Sequence, residues 1–208
     1  MKIIAPSFEI LTELNGNDIL KRIERIGRVC YKSEDRITGG SAERFIRNLV
    51  SRGHESVIEH ISVTVKIVCD RGVSHEIVRH RIASYSQEST RYCNYSSGGF
   101  GNELTVIRPY FWEESSEKYQ IWLNSMKAAE DAYMALIGLG ASPQEARSVL
   151  PNSLKTEIVA TMNLREWRHF FKMRADAHAH PQMRETAVPI LKEFQKRIPI
   201  IFDDIPLE

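Results

Sequence analysis

The segment RHRIASYSQESTRY, residues 79–92, concentrates positive charge and hydrogen-bonding side chains in a short length of chain. It begins with an Arg-His-Arg triplet and continues through hydroxyl and amide side chains to Arg91. Arginine presents a planar set of donors that stays charged and suits phosphate oxygens. The hydroxyls and the Gln87 amide add neutral donors for a polar heterocycle. We therefore expect a site for one or more phosphates in this segment.

Two structural interpretations of the triplet are open from the sequence. Side chains two residues apart point to opposite sides of a helix, about 200° apart, but to the same side of a strand. We predict a helix capped by Ser74 that runs into the triplet, so that Arg79 and Arg81 serve different ligands. The alternative is a solvated helix with ordinary ion pairs, for example between Glu76 and Arg79.

A second cluster of charged side chains lies in MNLREWRHFFKMRADAHAH, residues 162–180. NLRE is typical of a helix start, with Asn163 as the N-cap. Arg165 and His169 are four residues apart and share a helix face. With Arg147, they provide a second set of cations that could converge on the first.

Other kinds of site lack their characteristic spacing. The seven histidines include HAH at 178–180 and SHEIVRH at 74–80, neither of which has a common zinc spacing. We therefore expect no metal. Ser89 lacks the G-x-S-x-G context of a hydrolase nucleophile. GGFGN at 98–102 leads into a strand and not a helix, which argues against a Rossmann dinucleotide site.

Composition narrows the class of protein. The 208 residues suffice for one large domain or two small ones, and the net charge of +1 gives no general attraction to nucleic acid or membranes. No apolar run approaches the ~18 residues of a membrane span, and the first residues do not resemble a leader. Three cysteines without metal-like spacing favour a reduced, cytoplasmic chain without disulfides.

The elements that must position these residues are interspersed helices and strands. Apolar alternation and composition predict strands at 2–12, 61–69, 103–109 and 156–162. Helical spacing and caps predict helices at 17–31, 41–52, 116–137, from 142, from 163 and at 182–197, the last disturbed by Pro189, and a short helical turn opened by Ser56 of SVIE. Without regular βαβ spacing, we expect an α+β fold: one domain over residues 1–208, with a mixed or antiparallel sheet and flanking helices.

Several of these motifs together resemble those of a known family. Arg-His-Arg, seven residues and then Ser is the signature of the flavin-dependent thymidylate synthases, and RHRIASYSQES has that spacing. The resemblance extends to GHESVIEH before it and to EARSVLP, MNLREW and MRADAHA after it, in the family's order. It covers roughly residues 45–190, and several motifs in order are more specific than one.

The resemblance implies an α+β homotetramer that binds FAD and converts dUMP to dTMP. 5,10-Methylenetetrahydrofolate would supply the one-carbon unit, and NADPH would reduce the flavin. No nucleic acid and no membrane would be partners.

The resemblance also assigns site residues. FAD contacts fall on His54, Ser56, Arg79, His80, Arg81, Gln87, Asn163, Arg165, His169 and His178. Contacts to dUMP fall on Glu76, Arg79, Gln87, Ser89, Thr90, Arg91, Arg147 and Arg174. Arg174 and Ser89 would be catalytic, with Arg174 favouring ionisation of the uracil ring at N3 and so activating carbon-5; a fixed cation stabilises such developing negative charge.

The chain departs from the family's pattern at several of these positions. The family often has Gln where this chain has Glu76, Glu at Gln87 and Asn at His169. The exchanges between amide and acid at Glu76 and Gln87 preserve hydrogen bonding but alter charge, and the departures together indicate a divergent branch.

Two further functions stay open. One is a related flavoenzyme that alkylates another pyrimidine nucleotide or transfers a hydroxymethyl group. The other is a non-enzymatic nucleotide- or RNA-binding protein, with Tyr85, Tyr92 and Tyr95 as stacking platforms beside the arginines.

Overall fold

A computed structural model describes residues 1–207, in which six strands form two sheets. The strands are β1 Lys2–Ile4, β2 Ser7–Ile10, β3 Ser62–Asp70, β4 Ala83–Gln87, β5 Thr105–Ile107 and β6 Lys155–Asn163. β1 pairs in parallel with β5, with Lys2 opposite Thr105. The other sheet has the order β2-β3-β6-β4.

Helices are interspersed with these strands along the chain without regular alternation. They are α1 Gly16–Arg28, α2 Ser41–Ser51, α3 Arg71–Ile77, α4 Glu117–Gly138, α5 Pro143–Ala146, α6 Leu164–Arg174 and α7 Pro181–Arg197. Short 3₁₀ turns occupy Val29–Tyr31, Glu34–Arg36, Glu55–His60, Gly98–Phe100 and Arg147–Val149. The predicted α+β class is confirmed.

The chain divides into two units, each made of several segments. Unit 1 consists of Met1–Ser7, Ile67–Arg79 and Tyr85–Val159. Unit 2 consists of Phe8–Lys66, His80–Ser84 and Ala160–Glu208. A single domain over residues 1–208 stays a prediction.

The core of unit 2 is built around an aromatic cluster on α6. Trp167 stacks on Phe171 with ring centroids 5.5 Å apart, and Phe194 of α7 lies 5.2 Å from both rings. The Trp167 indole N–H donates to the carbonyl of Val63 in β3 at 3.0 Å. Because each fully buried large apolar side chain contributes about 1.5–3 kcal/mol, this packing fixes α6 within its unit.

Unit 1 has its own buried clusters. One is formed by Tyr95, Leu104, Tyr133, Ala146 and Leu154. The other is formed by Val106, Tyr119, Trp122 and Met126. Helix α4 contributes to both clusters, which explains why its buried residues recur along most of its length.

Several local predictions are confirmed. In β3 the alternate residues from Val63 to Cys69 are fully buried, as the pattern predicted. Ser142 and Glu145 form the predicted capping box of α5. The Asn163 side chain caps α6 by accepting the Glu166 N–H at 2.9 Å. Helix α7, Pro181–Arg197, matches the predicted last helix, although Pro189 lies inside it without interrupting it.

Other local predictions are wrong. The first predicted strand is divided by Ala5 and Pro6, because proline has no N–H for a ladder and restricts the residue before it. The turn at SVIE begins at Glu55, and Ser56 is exposed within it and is not its cap. Strand β4 was not predicted.

The predicted helix leading into the Arg-His-Arg triplet is also wrong. Asp70 caps α3, accepting the Val73 N–H at 2.6 Å, and Ser74 lies inside the helix with its hydroxyl donating to the Arg71 carbonyl. The helix ends at Ile77, so residues 79–81 lie in the irregular link before β4. Helical spacing therefore does not separate the two arginines of the triplet.

Among residues 1–207, no helix has both the length and the apolar character needed to cross a membrane.

Candidate active site

Unit 2 contains a cavity of about 520 Å³ beside the first turns of α6. Three residues predicted to bind flavin, Asn163, Arg165 and His169, line it together. The i, i+4 spacing therefore brings Arg165 and His169 to one cavity, as predicted. Ile82, exposed in the link after the triplet, adds an apolar surface to the wall. The cavity combines cationic, polar and apolar surface and has the size of a ligand pocket.

The charges that line this cavity balance. The positive residues are Arg165, Arg168 and Lys172, and the negative residues are Glu55, Glu59 and Glu166. The Arg165 guanidinium is bonded to the Glu59 carboxylate and lies 3.8 Å from that of Glu55. Any phosphate that binds Arg165 must therefore compete with these two carboxylates.

Arg168 is the most buried cation of the cavity wall, with 2% of its side chain exposed. It donates to Glu55 at 2.9 Å, to both carboxylate oxygens of Asp204 at 2.6 and 2.8 Å, and to the carbonyl of Ile201. The hydrogen bond from Arg168 holds the pKa of Asp204 below its usual range. Arg168 thus fastens the last described segment of the chain to α6.

His80 is held between two residues of α6. Only 2% of its side chain is exposed; Nδ1 lies 3.1 Å from a Glu166 carboxylate oxygen, and Nε2 accepts from Arg174 Nε at 3.1 Å. Burial lowers the pKa of His80, outweighing the opposing effect of the hydrogen bond to Glu166. The middle residue of the triplet is therefore a buried, neutral imidazole.

His80, Glu166 and His169 place potential metal-ligand atoms within 4.8 Å of one another. However, both ring nitrogens of His80 are engaged by Glu166 and Arg174. A cation would also lie beside the Arg174 guanidinium, which would repel it. We therefore interpret the group as a hydrogen-bonded network.

Within residues 1–207, the other residues of unit 2 that were predicted to contact flavin do not line this cavity. His54, Ser56 and Arg81 are exposed. His178 has 96% of its side chain exposed, and its ring and backbone N–H contact the Asp176 carboxylate at 2.9 and 2.8 Å. The backbone hydrogen bond lowers the pKa of Asp176.

Unit 1 contains a second cavity, of about 500 Å³. Two residues predicted to bind dUMP, Thr90 and Arg147, line it together. Arg71 and His75 of α3 also line it, and neither was predicted. Among residues 1–207, the wall of this cavity contains two arginines and no carboxylate. Its formal charge is therefore +2 when His75 is counted as neutral.

The end of β4 and the segment that follows it are held by hydrogen bonds within unit 1. Gln87 donates to Ser74 at 2.9 Å and to Thr156 at 3.2 Å. Ser89 accepts the backbone N–H of Arg91 at 3.2 Å. Arg71 donates to the backbone carbonyl of Glu88 at 3.3 Å. These contacts hold the backbone that precedes and follows Thr90 in place.

The Glu88 carboxylate anchors the same segment to β6. It accepts from Lys155 at 2.8 Å and from the Tyr95 hydroxyl at 3.0 Å. Burial opposes the charge of Lys155, but hydrogen bonds to Glu157 and Glu88 raise its pKa overall. Burial, reinforced by Glu88, raises the pKa of Tyr95, so its hydroxyl stays protonated and donates.

In the described part of the chain, residues 1–207, the second cavity is not lined by the other residues of unit 1 that were predicted to bind dUMP. Glu76 and Ser89 are half-buried, whereas Arg79 and Arg91 are exposed. Gln87 serves the hydrogen bonds described above.

Comparison with known proteins relates this chain to one family. The sequence profile of a family described as thymidylate synthase complementing protein matches residues 11–200. A flavin-dependent thymidylate synthase from Geobacter sulfurreducens is 38% identical over 184 residues, covering 85% of this chain and 78% of the relative. The enzyme of the same name from Pyrococcus furiosus is 37% identical over 172 residues, covering 82% and 70%. That of Corynebacterium glutamicum is 32% identical over 215 residues, covering 95% and 83%.

Among solved structures, the chain is similar to the UMP/dUMP methylase PolB from Streptomyces cacaoi, bound with 5-Br dUMP. The TM-score is 0.78, with 24% sequence identity and coverage of 98% of this chain and 96% of the other. At this identity, the similarity supports the fold.

Proposed function

This chain belongs to the family of flavin-dependent thymidylate synthases, and from that premise we propose that it converts dUMP to dTMP. In this proposal 5,10-methylenetetrahydrofolate donates the one-carbon unit, FAD is the cofactor and NADPH is the reductant. The family match over residues 11–200 is the observation that carries the proposal.

The cavity of unit 2 suits the flavin. Arg165 offers a guanidinium to the pyrophosphate, while Asn163 and His169 offer polar contacts and Ile82 offers an apolar surface. The other contacts in this proposal are His54, Ser56, Arg79, His80, Arg81, Gln87 and His178. Bound FAD would supply the hydride that reduces the transferred carbon unit to a methyl group.

The cavity of unit 1 suits the phosphate of dUMP. Its formal charge of +2 matches a phosphate dianion, and Thr90 adds polar hydrogen-bonding groups. Arg147 is the predicted phosphate ligand on its wall, and Arg71 supplies a second cation there. Glu76, Arg79, Gln87, Ser89, Arg91 and Arg174 complete the proposed dUMP contacts.

Arg174 is the proposed activating residue. Its guanidinium stabilises negative charge on the uracil ring, which increases the nucleophilicity of carbon-5 toward the methylene group. Ser89 is proposed as the second catalytic residue, contacting the nucleotide. Transfer to carbon-5 requires loss of the proton that this carbon carries in dUMP.

The assay for this function separates it from the open alternatives. Purified protein is incubated with FAD, NADPH, methylenetetrahydrofolate and either dUMP or UMP, and nucleotide products are separated by chromatography. We expect flavin absorbance near ~450 nm, because the cofactor carries the redox chemistry, and dTMP from dUMP. Conversion of UMP alone, or a hydroxymethyl product, would replace this proposal with the related flavoenzyme. A protein that binds no flavin would contradict both and favour the RNA-binding alternative.

We also propose that the chain assembles as a homotetramer and works in the cytoplasm, without nucleic acid or membrane partners. Light scattering after size-exclusion chromatography tests the assembly, since a tetramer of a 23.9 kDa chain differs clearly in mass from a monomer or dimer.

A further inference from the structure

His80 connects two residues that lie eight positions apart on α6. Glu166 contacts its Nδ1 and Arg174 contacts its Nε2, each at 3.1 Å. An arginine Nε is always a donor, so Nε2 of His80 must be the acceptor. In a neutral imidazole the proton is then on Nδ1, where it donates to the Glu166 carboxylate. The contacts therefore define one tautomer.

The packing around His80 supports this arrangement. Glu166, Phe170 and Arg174 follow one another at four-residue steps along one side of α6. The His80 ring lies 5.0 Å from the Phe170 ring and 5.3 Å from the His169 ring, both edge to face. The imidazole is therefore held along this side of the helix, with its two nitrogens directed at the polar residues at either end.

The carboxylate matters because only one form of His80 can accept from Arg174. If the proton moved to Nε2, two donors would face each other and the hydrogen bond would be lost. Full protonation would do the same and would place a second cation beside the guanidinium. Arg174 favours the proton on Nδ1 indirectly by donating to Nε2, whereas Glu166 contacts Nδ1 itself and stabilises the proton there.

We propose that Glu166 is a positioning residue that, by fixing the tautomer of His80, orients the guanidinium of Arg174. This inference rests on the proposed function, in which Arg174 stabilises the uracil ring. Glu166 itself touches neither dUMP nor the reacting carbon in this proposal. The hydrogen bond from Nε constrains the plane of the guanidinium and so the directions in which its other donors point.

Glu166→Gln is the main test, because it preserves size but offers both an acceptor and a donor to Nδ1. His80 can then adopt either tautomer, and only one accepts from Arg174. We expect kcat for dTMP formation, at saturating FAD and dUMP, to fall by about 10–100-fold, as for other carboxylates that orient a histidine. The KM for dUMP should change much less.

Nitrogen NMR of protein labelled at histidine gives a readout that needs no activity. The signal of His80, identified by its absence in His80→Gln, should show the proton on Nδ1 in the parent and a mixture of tautomers in Glu166→Gln. A parent with the proton on Nε2 would overturn the inference even if the variant failed to fold.

A double variant tests whether Glu166 acts through Arg174. Lysine has a methylene group where arginine has Nε, so Arg174→Lys cannot make the hydrogen bond to His80. Adding Glu166→Gln to Arg174→Lys should therefore have little further effect on kcat. Equal fold-losses in both backgrounds would overturn the inference.

Glu24→Gln is the matched control. Glu24 is 1% exposed and accepts from Arg28 and Ser41 at 2.7 and 2.8 Å, and none of these three residues belongs to the proposed machinery. It should leave kcat unchanged. If the parent makes dTMP and Glu166→Gln has the same kcat, only the inference is contradicted and the proposed function stands. A parent that makes no dTMP contradicts the proposed function, and the inference with it.

Discussion

The two cavities differ in how their positive charge is compensated. In unit 1, Arg71 and Arg147 line a wall without carboxylates among the described residues. In unit 2, three cations are matched by three glutamates, and Arg165 and Arg168 are directly bonded to carboxylates. An uncompensated wall attracts a compact phosphate dianion, whereas a compensated wall suits a larger ligand whose negative charge is a small part of its surface. The comparison favours the nucleotide phosphate in unit 1 and the flavin in unit 2.

The largest effect should come from reversing charge in the cavity of unit 1. Arg147→Glu removes a charge-assisted hydrogen bond of about 1.5–3 kcal/mol and adds repulsion. The dissociation constant of dUMP, measured by calorimetry, should rise by about 100-fold or more. Lys127→Glu, the same charge change at an exposed position of α4, is the control and should leave it unchanged. If both variants raised the dissociation constant of dUMP equally, the net charge of the protein, and not the local charge of this cavity, would determine phosphate binding.

Opposite effects on flavin affinity should follow from changing either member of the Arg165–Glu59 pair. Arg165→Ala removes a phosphate ligand and should weaken FAD binding by about 10-fold. Glu59→Gln removes a competing carboxylate and should strengthen it by about 2–3-fold, since exposed ion pairs contribute little. Flavin fluorescence titration measures both. Weakening in both variants would show that the pair acts as one structural unit.

Salt should weaken the binding of dUMP more than the binding of FAD, and this effect should be smaller than those of the substitutions. Raising ionic strength from 0.05 to 0.5 M, as rough values, screens an uncompensated wall more than a balanced one. The dissociation constant of dUMP should increase by about 3-fold more than that of FAD. An equal response would contradict the charge difference between the cavities.

Two histidines should differ in their effect on stability at acid pH. The pKa of His80 is lowered by burial, so below its ordinary value of about 6.5 the unfolded chain binds more protons than the folded chain. The free energy of unfolding therefore decreases as the pH falls from about 6.5 through the lowered pKa. His80→Gln should flatten this dependence, measured by urea unfolding, whereas His75→Gln, at an exposed position of unit 1, should not. Identical slopes in all three proteins would contradict the buried state of His80.

Much of the fold could be predicted because the information is local. Alternation in β3 and β6 reports burial directly, and the Asn163 cap lies three residues from the N–H that it accepts. Strand β4 could not be predicted, because its residues are exposed or half-buried and give no apolar alternation. Its Tyr85 is held by donating to the carbonyl of Ile77 at 2.8 Å, a tertiary contact.

The candidate site was predictable only where its members share an element or a family motif. Arg165 and His169 share a helix face, so their spacing predicts their joint position. Arg71 and Arg147 meet through folding of segments far apart in sequence. Glu166 looked like an ordinary first-turn carboxylate; only the approach of His80 gives it a role.

Release of tritium from dUMP labelled at carbon-5 tests the central claim most directly, because methylation there must remove that hydrogen. The reaction contains methylenetetrahydrofolate, NADPH and FAD, with Arg174→Ala as the comparison. We predict release that matches dTMP formation in the parent and falls by about 100-fold or more in the variant, as when a preorganised charge is removed. Flavin reduction by NADPH without release of label from dUMP would contradict the claim.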